Sequence, residues 1–171
     1  KGIEYFTALK FLDCSDNLLT SLDLSKNTSL ISLYCDDNQL TTLNVSSCTD
    51  LITLSCCNNQ LTVLDVSKNT ALTSLQCSEN LLTSLDVSDC VALKTLSCHD
   101  NQLNNINASS NTALTLLNCR ENQLTTLDVS NSNALTELNC GNNKLTTLNV
   151  SGCSALTDLI CVYNQLANLD V

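Results

Sequence analysis

The sequence predicts a single-domain parallel β-solenoid that coils once per twenty-one positions and contains almost no α-helix. Three observations carry this reading. Cys14, Cys35, Cys56, Cys77, Cys98, Cys119, Cys140 and Cys161 recur at that interval without a slip. Asn17, Asn38, Asn59, Asn80, Asn101, Asn122, Asn143 and Asn164 keep the same interval, as do the leucines from Leu12 to Leu159. Each unit also divides into two similar halves of nearly equal length, LxxLxCxxNx and LxxLDVSxxxA, as in residues 72–92.

Each half yields one short strand. Leu75-Gln76-Cys77 alternates apolar, polar, apolar, the period of a half-buried strand, and Leu85-Asp86-Val87 repeats it. Two short strands per turn are therefore expected. No segment sustains the i, i+3, i+4, i+7 apolar pattern of a helix. The asparagine after the first strand stands where the chain must turn. Its amide tolerates turn conformations and supplies two donors and an acceptor to backbone groups the strands leave unpaired.

The cysteines follow the coil and not a pairing scheme. In an in-register ladder the Cβ atoms stay about as far apart as the strands, ~4.8 Å, beyond the ~3.8 Å of a disulfide. Free, buried thiols acting as small hydrophobes are expected. Cys48, Cys90 and Cys153 share a slot with Asn27, Asn69 and Asn111, and Cys57 is expected to be the exposed, reactive thiol.

The first repeat spans 9–29, further copies follow at the same interval, and the eighth is truncated. Residues 1–8 align with the second half of a preceding repeat, and Val171 aligns with Val150, so one domain over 1–171 that continues both ways is expected. Exposed terminal rungs suggest an end-to-end dimer. The formal charge of −10, with seven Lys and Arg, opposes binding to nucleic acid or anionic membranes. No apolar run reaches the ~20 residues of a membrane span. One histidine, no tryptophan and three glycines leave no constellation for catalysis or a phosphate loop, so no enzyme activity and no cofactor are expected.

The half-repeat LxxLxCxxNxL resembles the defining segment of leucine-rich repeat proteins, with cysteine where many members carry a leucine. The full unit LxxLxCxxNxLxxLDVSxNxA is similar to the bacterial 21-residue subclass called IRREKO, itself nested as ten plus eleven. Eight copies cover 9–171, and Ile106 and Ala108, replacing Leu and Val, imply looser packing in the fifth. The resemblance implies a right-handed parallel superhelix with the LxC strands in a continuous concave sheet. It further implies a non-catalytic interaction module on a bacterial surface or secreted protein, binding a protein or glycan. The alternative is a structural spacer that presents a neighbouring domain.

Positions that recur in every copy are explained by the coil, so specificity is expected at outward positions that differ. The columns flanking the first-strand leucine, and the one past the cysteine, hold the variety. The candidate ligand contacts are Phe11, Asp13, Tyr34, Asp36, Gln76, His99, Leu116, Asn118, Arg120 and Ile160. An acidic column at Asp16, Asp37, Asn58, Glu79, Asp100 and Glu121 reads as a solvated rim, with too few ligands for Ca²⁺. A linear thiol stack does not converge tetrahedrally, so no metal site is expected. The second-strand column of Asp23, Asn44, Asp65, Asp86, Asn107, Asp128, Asn149 and Asp170 mixes Asp with Asn, which dilutes like-charge repulsion between rungs.

Overall fold

The computed structural model describes residues 2–169; Asp170 and Val171 lie outside them. The first half of every repeat forms a strand: β1 (Phe11–Asp13), β2 (Ser32–Tyr34), β3 (Thr53–Ser55), β4 (Ser74–Gln76), β6 (Thr95–Ser97), β8 (Leu116–Asn118), β10 (Glu137–Asn139) and β12 (Asp158–Ile160). These pair in parallel as one eight-stranded sheet. Register is strict, leucine on leucine, from Leu12 beside Leu33 to Leu138 beside Leu159. The one helical element among the described residues is a 3₁₀ turn, Ile3–Tyr5.

The second half departs from expectation. Only β5 (Leu85–Asp86), β7 (Ile106–Asn107), β9 (Thr126–Asp128) and β11 (Thr147–Asn149) form there, as two separate two-stranded sheets, β5 with β7 and β9 with β11. The Asp/Asn column closes a local turn on this side whether or not a strand forms there. Asp65, Asp86 and Asp128 accept the N–H of the serine two residues on at 2.9 Å, and Asn44 does so at 3.0 Å. These local turns are an Asx arrangement and follow directly on the paired strands β5, β7, β9 and β11 as well. The column is thus a series of turn caps, beyond any dilution of charge.

Leucines and the cysteine ladder fill the interior. Leu33, Leu54, Leu75 and Leu96 are fully buried, as are Cys35, Cys56, Cys77 and Cys98. All the cysteines are free thiols. Cys35 donates to the Ser55 carbonyl at 3.4 Å and Cys56 to that of Gln76 at 3.6 Å, each on the following coil. Burial pushes the Cys56, Cys77 and Cys98 thiols well above their ordinary range and that of Cys140 up to about 12. Ile106 and Ala108 stay buried, and a surface hollow of about 320 Å³ borders both.

Each inner asparagine bolts two coils together. The Asn80 amide donates to the carbonyls of Cys56 (3.0 Å), Cys77 (3.3 Å) and Ser78 (3.1 Å), and its Oδ1 accepts the Leu61 N–H at 2.9 Å. Asn38, Asn59, Asn101, Asn122 and Asn143 repeat the pattern. The residue before each asparagine is left-handed: Asp16, Asp37, Asn58, Glu79, Asp100, Glu121, Asn142 and Tyr163 have φ between 49 and 55°. These side chains are exposed or, at Asp100, half-buried, so the rim is solvated as expected, and the backbone beneath it adds a constraint. The column is the corner of the coil, where Asp and Asn are favoured because they tolerate positive φ.

A second ladder runs along the back. Asn27, Cys48, Asn69, Cys90, Asn111, Ser132 and Cys153 are all buried. Asn69 donates to the Val45 and Cys48 carbonyls at 3.1 and 2.8 Å, and the Cys90 thiol faces those of Val66 and Asn69, both at 3.7 Å. Amide and thiol thus play one part, each reaching back to the preceding coil. The Oδ1 atoms of Asn27, Asn69 and Asn111 and the Ser132 hydroxyl oxygen find no protein partner.

Candidate interaction surface

The outward face of the eight-stranded sheet is built by two columns of side chains in direct register. One runs Phe11, Ser32, Thr53, Ser74, Thr95, Leu116, Glu137, Asp158; the other runs Asp13, Tyr34, Ser55, Gln76, Ser97, Asn118, Asn139, Ile160. Between the buried leucines, these positions are the ones the pleat turns away from the core. Their chemistry is not uniform. Three separate features stand out along the face.

At the β1–β2 end, Phe11 and Tyr34 form an aromatic pair with ring centroids 5.6 Å apart and planes tilted by 45°. Phe11 is 59% exposed, so the pair offers apolar area to solvent. Asp13 is exposed and accepts the Ser15 N–H at 3.1 Å, which holds its carboxyl below the usual range. Asp36, by contrast, serves the coil: it accepts the Ser55 hydroxyl and the Cys57 N–H, both at 2.6 Å. Cys57 is accordingly half-buried, and burial pushes its thiol pKa up. It is not the exposed, reactive thiol the alternation suggests, because the chain turns at Asp36 and Cys57 instead of continuing the pleat.

In the middle, Gln76 stands exposed among small hydroxyl residues, while His99 and Arg120 join a charge cluster at the sheet margin. Asp100 Oδ2 lies 2.6 Å from His99 Nδ1 and accepts from Arg120 Nη2 at 2.9 Å, and Arg120 also pairs with Glu121. Partial burial acts to raise the Asp100 carboxyl, but its hydrogen-bonded neighbours and the Arg120 charge hold it below the usual range. Hydrogen bonding with Asp100 and repulsion by it push Glu121 up. The guanidinium is therefore already paired within the protein. Its partners, sited at left-handed corners in a neighbouring column, were not assigned as such from the sequence.

Near the other end, Leu116, Asn118 and Ile160 come together around a shallow pocket of about 190 Å³ whose rim carries Glu137 and Asp158. Ile160 is 47% exposed and is followed by exposed Val162 and Tyr163. Glu137 and Asp158, absent from the candidate set, are the two charged members of a column otherwise made of Ser, Thr, Phe and Leu. That contrast was the signal that could have found them. Among the described residues no group of three or more His, Cys, Asp or Glu is arranged to hold a metal ion, and no helix is long and apolar enough to cross a membrane.

No protein-family model and no curated protein matches the chain. Solved structures do match. The functional domain of InlJ from Listeria monocytogenes, described as including a cysteine ladder, is 40% identical at a TM-score of 0.78, covering 99% of this chain and 42% of that one. A leucine-rich repeat protein of Leptospira interrogans is 26% identical at a TM-score of 0.91, covering 98% and 46%. The plant peptide hormone receptor RGFR1, solved in complex with RGF2, shares the fold at 23% identity and a TM-score of 0.82, covering 95% and 29%. The chain spans less than half the length of each. With its regular coils, parallel sheet and stacked thiols, it is a leucine-rich repeat protein, similar to bacterial members of which the Listeria domain includes a cysteine ladder.

Proposed function

We propose that this chain is a non-catalytic recognition module that binds a protein partner across the outward face of its eight-stranded sheet. The observation that carries the reading is the distribution of side-chain variety. The back of the coil repeats Asp or Asn and serine for its own turns, whereas the sheet presents the aromatic pair and the apolar pocket, which the coil does not need. Aromatic and apolar anchors separated by small polar residues match the anatomy of binding surfaces, where few residues supply most of the energy. The Listeria and Leptospira likenesses favour a surface-exposed or secreted bacterial parent. The solved receptor complex of the same fold favours a protein ligand over a glycan.

The test is face-specific retention. The purified chain is immobilised and offered surface proteins of candidate host cells, alongside Tyr34→Ala, Leu116→Ser and a back-face control, Thr146→Ala. Loss of one retained protein with either sheet variant, but not with the control, supports the module. Retention indifferent to all three supports a spacer that presents a neighbouring domain.

A further inference from the structure

The pocket between β8, β10 and β12 combines features that narrow what it takes. Its surface is mostly apolar, Leu116 on one side and Ile160 on the other, over Leu117 and Leu138, with Asn118 and Asn139 completing the lining. Its volume of about 190 Å³ is below the ~300–1,000 Å³ of small-molecule sites, so it suits one inserted side chain. Glu137 and Asp158 stand directly opposite each other on adjacent strands, both exposed. Like charges in that position repel. The ion pairs among the described residues all involve His99 or Arg120, so neither carboxylate has an internal counter-cation. The Asp158 carboxylate receives only the neighbouring Thr157 hydroxyl, at 2.8 Å.

An apolar crevice rimmed by two uncompensated carboxylates, on a chain of charge −10, is complementary to a side chain with an aliphatic stem and a cationic head. We infer that this pocket is the subsite for an arginine or lysine side chain of the protein partner. The stem lies between Leu116 and Ile160, and the head meets Glu137 and Asp158. Repulsion between the carboxylates is then relieved on binding, so the pocket trades stability of the free protein for recognition. This assignment rests on the reading of the sheet as a binding face and adds the chemistry of one contact.

The test reads the pocket without the natural partner. Isotope-labelled protein is titrated with the blocked pentapeptide Gly-Gly-Arg-Gly-Gly, its lysine counterpart and its neutral citrulline counterpart, and amide shifts are followed by NMR. Saturable shifts centred on Leu116, Glu137 and Ile160 are expected with the arginine or lysine peptide, and none with citrulline. Glu137→Gln with Asp158→Asn should weaken binding about fivefold or more while leaving the melting temperature unchanged or raised; the back-face variant Thr146→Ala should leave binding unchanged. Equal shifts with citrulline, shifts spread without saturation over all the acidic residues, or an unaffected double variant would overturn the assignment. Failure here with face-specific retention intact removes the subsite alone; retention that neither sheet variant disturbs removes the module reading whatever the peptides do.

Discussion

The two halves of each coil carry the same leucine spacing yet use their backbone N–H groups in opposite ways. On the front, donors run between coils and continue through the corner: Cys35 to Ser55, Asp37 to Cys57 and Asn38 to Asn58, at 2.9 to 3.2 Å. On the back, donors close local turns, with serine N–H groups on Asp or Asn side chains and Cys48 and Asn69 on the carbonyls three residues earlier at 2.9 Å. The front is therefore a continuous sheet and the back a stack of turns tied by a buried Asn/Cys/Ser column, with backbone pairing between coils at β5–β7 and β9–β11. Cohesion between coils comes from the continuous front backbone, from these shorter back pairs and from side chains on both faces.

The largest break should come from the core both halves share. Leu96→Ala removes a fully buried side chain and should cost about 2–5 kcal/mol in denaturant unfolding. Next, Asn80→Ala strands the Leu61 N–H and takes one of two hydrogen bonds from each of three carbonyls, of Cys56, Cys77 and Ser78, about 1–3 kcal/mol. Asn69 sharpens the contrast, since Cys and Ser already fill its column: Asn69→Cys should cost less than Asn80→Cys when the two are melted side by side. On the back of the seventh coil, a Cβ at Gly152 would stand 1.8 Å from the Ser130 carbonyl oxygen. Gly152→Ala should therefore cost about 1–3 kcal/mol through forced backbone movement.

The smallest effect is in acid. Backbone hydrogen bonds from Ser25, Ser67, Ser88 and Ser130 hold Asp23, Asp65, Asp86 and Asp128 below the usual carboxylate range. A lowered folded value means that the unfolded chain binds the proton first. The stabilisation is complete above the ordinary aspartate range, ~3.9, and is lost as pH falls through the lower folded values. Replacing all four by Asn, which fills the same place at Asn44, Asn107 and Asn149, should flatten the acid limb of a stability titration. An unchanged limb would show that the turns do not titrate in this way.

The period, the front sheet with its register, the free thiols and the asparagine bolts were legible in the sequence, because each follows from a residue repeated at every coil. What escaped depended on which atom a group chooses. Asp86 is the strand residue that alternation gives, but alternation does not reveal that its carboxylate captures the Ser88 N–H. Asp37 and Glu121 form the exposed rim read from sequence, but their left-handed backbone was not legible, because positive φ leaves no compositional mark when Glu and Tyr share the column. At the candidate surface, Phe11 with Tyr34 and Leu116 with Ile160 were chosen from sequence and lie together. Asp36 and Arg120 were chosen and are bound internally, to partners in other columns.

The asparagine bolts have a direction. Asn38 completes the Leu19 N–H and the Cys14 carbonyl of the coil before it, as Asn59 does for Leu40 and Cys35. A loop emerging from the ribosome thus keeps open polar groups until its successor arrives. Removing the last winding should therefore bare a leucine N–H and take a hydrogen bond from a cysteine carbonyl on the one before it, whereas removing the first bares an asparagine amide oxygen instead.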